Sequence, residues 1–253
     1  MNQRLIAISD IHGYYEEFIE LMKKVDYKKG VDKLYILGDM IDRGKDSFKT
    51  MTLIRNLQRQ YPETVHVILG NHDSEFLNII KLLRQDKTLD EDGWVLYAGF
   101  TDDDLQTLAV YSELLNDNDK DKLIEWLESL PYYVEDGDFI FVHAAIDSKL
   151  PLDKQDPQYM LWGKYGKEKY SFIYDKMYDN KVVVFGHVYT ETLYKMNNEK
   201  LSNNVWYDIK NYDKIGIDCG IWTGKGKLGA LIITPGSRIE EDTFEDMYVD
   251  LII

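Results

Sequence analysis

Along the first third of the chain the period of apolar positions switches back and forth. Residues 4–9, RLIAIS, form a short apolar run of strand length, whereas YYEEFIELMKKV at 14–25 places Phe18, Leu21, Met22 and Val25 on one face at helical spacing. DKLYILG at 32–38 is apolar again and predicts a second strand. Helical spacing returns in DSFKTMTLIRNLQRQ at 46–60, with Asp46 and Ser47 as candidate caps, and TVHVILG at 64–70 predicts a third strand. Strand, helix, strand, helix, strand with short links predicts βαβ units on a parallel sheet. Right-handed crossovers then bring the three strand C-termini to one edge.

Residues 73–129 are polar and mostly helical in pattern, with TDDDLQTLAVYSELL (101–115) and DKDKLIEWLESL (119–130) the clearest helices. The acidic runs DEDGW and TDDD read as solvated loops and helix N-termini, where negative charge suits the dipole. Strand period resumes in YYVEDGDFIFVHAAID (132–147), with EDGD as a hairpin turn, and in KVVVFGH (181–187). NVWYDIK, KIGIDCG and LGALIIT predict antiparallel strands of a second sheet packed on the first. Neither an internal repeat nor a low-complexity linker interrupts the chain, so a single domain over 1–253 with a helical insertion at 77–130 is expected.

A hydrophobic fraction of 44%, with 13% aromatic residues, supports a sizeable core in 253 residues. Cys219 is the one cysteine, which excludes an internal disulfide, and the start MNQRLIAISD lacks the basic and apolar regions of a signal peptide. No apolar run approaches the roughly 18 residues that span a bilayer. A cytoplasmic protein without a membrane partner is therefore expected. The net charge of -15 argues against a long nucleic acid as partner, because that mode of binding needs basic surface. The same charge repels a small phosphate ester unless the site carries positive charge of its own, which bound metal ions would supply.

Five segments share one grammar, an apolar strand followed by a polar cluster: SDIHG (Asp10, His12), GDMIDRG (Asp39, Asp42, Arg43), GNHD (Asn71, His72, Asp73), FVHA (His143) and FGH (His187). Four of the five histidines fall in them; His66, inside TVHVILG, reads as a structural histidine on a sheet face. Taken singly, each cluster has a bland explanation: Asp10 or Ser9 as a cap for helix 14–25, or a histidine as a polar group at a sheet edge. Capping does not account for the set. Mixed oxygen and imidazole ligands suit Mn, Fe, Zn or Co better than Ca, so a transition-metal site is predicted.

The ordered series D-x-H-G, G-D-x-x-D-R-G, G-N-H-D, V-H and G-H resembles the calcineurin-like metallophosphoesterases, and within them the phosphoprotein phosphatase family of Ser/Thr phosphatases in its bacterial form. The resemblance runs over 4–76 and reappears at 140–147 and 183–190; it leaves 77–130 unexplained. It implies a four-layer α/β/β/α sandwich with the site at the strand C-termini. It also implies two divalent transition-metal ions, manganese first, with Fe, Zn, Co or Ni as alternatives. By motif, Asp10 and His12 would bind the first ion, Asp39 would bridge both, and Asn71, His143 and His187 would bind the second. A hydroxide shared by the two ions would then attack phosphorus in line.

In the same resemblance Arg43 binds phosphate through its planar fork, Asn71 touches phosphate, and His72, oriented by Asp42, is the general acid. The bland alternative for Asp42 and Arg43 is a mutual surface salt bridge. One departure stands out. The family carries a second phosphate-binding arginine shortly after a Trp between the two late histidines, and this chain reads LWGKYGK there. Lys164, or else Lys167, replaces it, or Lys164 is a solvated lysine in a glycine-rich loop. Tyr14 and Trp162 are candidates to line the cleft, although core positions suit them too. The expected activity is a serine/threonine protein phosphatase acting on phosphorylated proteins. The alternative is the related symmetrical dinucleoside tetraphosphatase, whose members share the length, the helical insertion and the GNHD spelling. A noncatalytic binding module is disfavoured by the full ligand set, and a polynucleotide nuclease by the charge. Oligomeric state is open.

Overall fold

The computed structural model describes residues 3–85, 117–165, 168–236 and 242–252. Its first part follows the predicted alternation: β1 (Leu5–Ile8), α1 (Tyr15–Lys24), β2 (Lys33–Ile36), α2 (Ser47–Gln60), β3 (Val65–Val67) and α3 (Asn71–Gln85). After α4 (Asp117–Ser129) come the hairpin β4 (Tyr133–Asp136) and β5 (Phe139–Val142), the short α5 (Pro157–Trp162), and a two-stranded ribbon of β6 (Lys164–Tyr165) and β7 (Glu168–Lys169). The remainder is β8 (Val182–Phe185), α6 (Thr190–Met196), β9 (Trp206–Tyr207), β10 (Lys214–Gly216), β11 (Lys227–Thr234) and β12 (Thr243–Asp250).

Two five-stranded sheets lie at the centre, in the orders β12-β11-β1-β2-β3 and β4-β5-β8-β10-β9. β1, β2 and β3 are parallel, as are β5, β8 and β10, while β11, β12, β4 and β9 join by antiparallel pairs. The period of two along each strand explains the layers. Ile6 and Ile8 of β1, with Leu34 and Ile36 of β2, face the helices that carry Phe18, Leu21, Ile54 and Ile80. Their neighbours Leu5, Ala7, Tyr35 and Leu37 face Phe139, Phe141, Val182 and Val184 of the other sheet. Ile140, Val142, Val183 and Phe185 turn outward again onto Tyr159, Phe172 and Leu193. The result is helix, sheet, sheet, helix, as expected from the resemblance.

Three details depart from the sequence reading. LGALIIT (β11) does not join the second sheet: it pairs antiparallel with β1, Ile6 opposite Ile232, and thereby extends the first. KIGIDCG gives β10, which is antiparallel to β9 but parallel to β8. The proposed caps also fail. Asp46 holds the N-cap position of α2 without a side-chain cap bond and pairs with Lys49 at 2.8 Å instead, while neither Ser9 nor Asp10 caps α1, whose N-cap is Tyr14. The helix expected at 101–115 and both acidic runs lie outside the described residues. Lys81 and Glu128 join α3 to α4 at 2.5 Å. No helix among the described residues is long and apolar enough to cross a membrane.

Candidate metal centre and active site

The parallel strands of both sheets end on the same side, and each delivers one polar cluster there. Six of these residues stand in left-handed backbone: Asp10 (φ 53°), His12 (47°), Asp39 (51°), Asp42 (69°), Arg43 (69°) and His187 (59°). A residue with a Cβ costs on the order of 1–3 kcal/mol in such a conformation, and glycine would avoid that cost. Backbone bonds hold the strained turns to each other: Asp10 N donates to Gly38 O (3.2 Å), His12 N to Asp39 O (2.9 Å) and Gly44 N to His12 O (2.8 Å). Two glycines allow the approach. A Cβ on Gly70 would overlap the Asp39 amide and carboxylate, and one on Gly186 the Ser9 hydroxyl and Asp10 carboxylate.

The protons in this site are accounted for by its hydrogen bonds. His12 Nδ1 donates to the Ile41 carbonyl (2.8 Å), and burial pulls its imidazole down to about 3, so it is neutral and Nε2 presents a lone pair. That lone pair faces Asp39 Oδ2 at 3.6 Å and Asp10 Oδ1 at 4.0 Å. His143 repeats the arrangement. Its Nδ1 donates to Leu37 O (2.7 Å), burial lowers its pKa, and Nε2 faces Asn71 Oδ1 at 2.9 Å and Asp39 Oδ1 at 3.5 Å. Each site is thus a set of acceptors aimed at one another with no proton between them. Such a set is costly to bury unless a cation completes it.

Further groups point the same way. The ligand atoms of Asp39, His143 and His187 lie within 4.8 Å of one another, as do those of His12, Asp39 and His72. Burial brings the His187 imidazole to about 3. Asp10 is pushed well up by burial and then by Asp218 and Asp39, three carboxylates confined in one buried space. Burial also pushes Asp39 up, but the histidines around it, His143 first, outweigh this and hold it below the usual carboxylate range. One oxygen of Asp39 faces each histidine set, so the residues fit two cations sharing that carboxylate.

Beside them, His72 Nδ1 meets Asp42 Oδ2 at 2.8 Å and Nε2 meets Arg43 Nη2 at 3.3 Å. Burial opposes charging His72, but Asp39 and then Asp42 overcome it and raise the imidazole to about 9. At neutral pH two donors, imidazolium and guanidinium, then face one point, and an anion seated there would relieve both. Asp42 therefore pairs with His72 and not, as the bland reading had it, with Arg43.

Asp73, the last residue of GNHD, received no role from the sequence. It is fully buried: Oδ2 accepts from Asp39 N (2.9 Å) and Gly70 N (3.1 Å), and Oδ1 from Met40 N (3.1 Å), clamping the turn that carries Asp39. Burial, then Asp39, raises its carboxyl to about 7. Asp218, at the end of β10, was also missed. It is buried, accepts from Gly220 N at 2.9 Å, and is raised by burial to about 6. GIDCG places an Asp and a Gly after an apolar strand, as SDIHG and GDMIDRG do, but without the histidine or second charged residue that marks those clusters.

The structure brings Asp10, His12, Asp39, Asp42, Arg43, Asn71, His72, His143 and His187 together. Lys164 stands apart, exposed, with Nζ 5.0 Å from the Trp162 ring centroid; Trp162 in turn packs edge-on to His187 at 5.9 Å. Lys167 lies outside the described residues. Tyr14 lines a cavity next to Arg43 and is partly buried against the core. His66 stacks on Tyr35 at 4.9 Å, away from the site.

The sequence profile described as Calcineurin-like phosphoesterase matches residues 3–222. The chain belongs to the calcineurin-like phosphoesterase family. Membership in the family implies two divalent metal ions, in keeping with the paired acceptor sets. The symmetrical bis(5'-nucleosyl)-tetraphosphatase of Enterobacter sp. (strain 638) is 28% identical over 178 residues, 68% of this chain and 54% of that protein. The chain spans about half the length of the curated relatives it matches. A solved structure named as a candidate diadenosine tetraphosphatase covers 98% of this chain and 94% of its own, with a TM-score of 0.66 and 22% identity. A protein serine/threonine phosphatase from Saccharomyces cerevisiae covers 100% and 81% with a TM-score of 0.62 and 14% identity. These two likenesses concern the fold.

Proposed function

We propose that this calcineurin-like phosphoesterase hydrolyses dinucleoside tetraphosphates symmetrically, water and substrate giving two nucleoside diphosphates. The observation that carries the reading is the aromatic flanking of the site. Arg43 lies against the face of Trp222, itself 37% exposed and 6.3 Å from the Tyr189 ring, while Trp162 and Tyr170 pack edge-on to His187. Trp222 gives one face to Arg43, and the other rings beside this phosphate fork suit nucleobases, each stacked base contributing on the order of 1–3 kcal/mol. The names of the curated relatives support the same substrate. The sequence alone put a phosphoprotein first; the relatives shift the preference to the dinucleotide.

In this reading Asp10, His12 and Asp39 would hold one cation, and Asp39, Asn71, His143 and His187 the other. When bound, the two would supply the positive charge that acidifies a water and neutralises phosphoryl oxygens. Arg43 grips two oxygens of the attacked phosphate, and its bonds strengthen as charge builds there. His72, hydrogen-bonded through Nδ1 to Asp42, donates its Nε2 proton toward the leaving oxygen. Asn71 touches phosphate.

The test is parallel hydrolysis of diadenosine tetraphosphate and a phosphothreonine peptide by the manganese-loaded protein, with EDTA-treated protein as control. ADP as the sole nucleotide product, formed at a higher kcat/KM than phosphate from the peptide, is expected. Preference for the peptide would restore the phosphoprotein reading.

A further inference from the structure

Arg43 presents a charge without an obvious holder. Among the described residues no carboxylate lies within 4 Å of its guanidinium, and its backbone stands in left-handed φ beside Gly44. Two contacts remain: His72 Nε2 at 3.3 Å from Nη2, and the ring of Trp222, whose centroid lies 4.0 Å from Cζ. A guanidinium over an aromatic face at this distance is an attractive pair.

Trp222 is itself well fixed. It sits on the single turn Ile221–Thr223 after β10, bounded by Gly220 and Gly224, both in left-handed backbone, and anchored by the buried Ile221. Thr223 Oγ1 donates to Gly220 O at 2.8 Å and accepts from Gly226 N at 3.0 Å, closing the turn. Asp218, just before the turn, is buried and accepts from Gly220 N at 2.9 Å, which fixes the glycine that opens the turn. The turn therefore presents one fixed aromatic face to Arg43 from the opposite end of the chain.

We infer that Trp222, presented by this turn, is a positioning residue that orients the Arg43 fork for phosphate. The choice of an aromatic holder has a chemical reason. A carboxylate would fix the guanidinium equally well, but it would occupy the same N–H edge that must reach phosphate and would cancel its charge. A ring face holds the plane of the cation and leaves the five in-plane N–H donors free. This rests on the proposed role of Arg43 in phosphate binding and is independent of which phosphate ester is the substrate.

The experiment measures competitive inhibition by inorganic phosphate and turnover of p-nitrophenyl phosphate in the manganese-loaded full chain. Trp222→Ala and Trp222→Leu are expected to raise the phosphate Ki and the KM on the order of tenfold. Trp222→Phe, which keeps the ring face, should restore both to within about threefold of the starting protein. Leu fills space without a π face, so equal damage from Ala and Leu with rescue by Phe separates orientation from packing. In an Arg43→Ala background, Trp222→Ala should add less than about twofold, as a coupled pair requires. The inference is overturned if Trp222→Ala leaves Ki unchanged, if Leu rescues as well as Phe, or if the loss persists in full without Arg43. An unchanged Ki in Arg43→Ala alone would instead remove the phosphate role of Arg43 on which the inference rests, and that arm is read separately.

Discussion

Replacing Asp73 by Asn changes one oxygen to an amide at the point where the Asp39 turn is tied down. The carboxylate accepts three backbone N–H groups, two at Oδ2 (Asp39 and Gly70) and one at Oδ1 (Met40). The asparagine keeps most bonds by leaving its carbonyl at the Oδ2 position, which turns its NH2 group toward Met40 N–H. That donor is then buried and unpaired, at about 1–3 kcal/mol. The other two bonds lose charge assistance, but removing a buried carboxylate that Asp39 repels offsets this loss. The net is about 2 kcal/mol. At about 2–4 °C per kcal/mol for a chain of this size, the metal-free protein should melt about 5 °C lower and remain folded at room temperature. The Asp39 turn also loosens, so manganese affinity should fall about 10–100-fold, as for other supports of metal ligands. Thermal unfolding in EDTA and calorimetric titration of manganese read the two effects. A melting temperature within about 2 °C of the starting protein with unchanged affinity would refute the clamp.

Other consequences follow from the same geometry. His72→Asn should retain both metals and lose about 10²–10⁴ in kcat on alkyl phosphomonoesters, but less on diadenosine tetraphosphate, whose diphosphate leaving group needs little protonation; equal losses on both would remove His72 from the proton transfer. Gly186→Ala forces a Cβ into Ser9 and Asp10, and a metal titration should show the first cation site weakened, in contrast to a surface Gly137→Ala control with no atom within 4 Å of the added Cβ. In the metal-free chain His72 has its pKa raised to about 9 against a usual value near 6.5. A raised pKa contributes stability that is fully present below 6.5 and is lost as pH rises through 9. Unfolding measured across that window should show a decline that disappears in His72→Asn, and an identical slope in both proteins would contradict the assignment.

The first βαβαβ was legible because each element is long enough to show its period: ten residues of α1 bury Phe18 and Leu21 and four of β1 are wholly apolar. The polar clusters were legible because parallel strands end together, so residues far apart in sequence had to meet at one edge. What period does not encode is which edge a strand joins. β11 is as apolar as β8, and nothing in LGALIIT says that it runs beside β1. The short helices α5 and α6, six and seven residues long, complete too few turns to show helical spacing and went unseen. At the site, residues whose chemistry is a side chain aimed at a ligand were readable as motifs. Asp73 and Asp218, which act on backbone N–H groups, look like any acidic residue after a strand until the three-dimensional partners are known. Trp222 follows neither rule, being an aromatic in a glycine-rich turn.

Two sets of buried acceptors meet at Asp39, an arrangement suited to two cations. Metal content of the chain, after equilibration with manganese and removal of free ion, tests this in the starting protein and in Asp39→Asn. Two equivalents per chain are expected in the first and less than one in the second, with hydrolysis lost in parallel. Two tightly held equivalents in Asp39→Asn, with turnover intact, would contradict it.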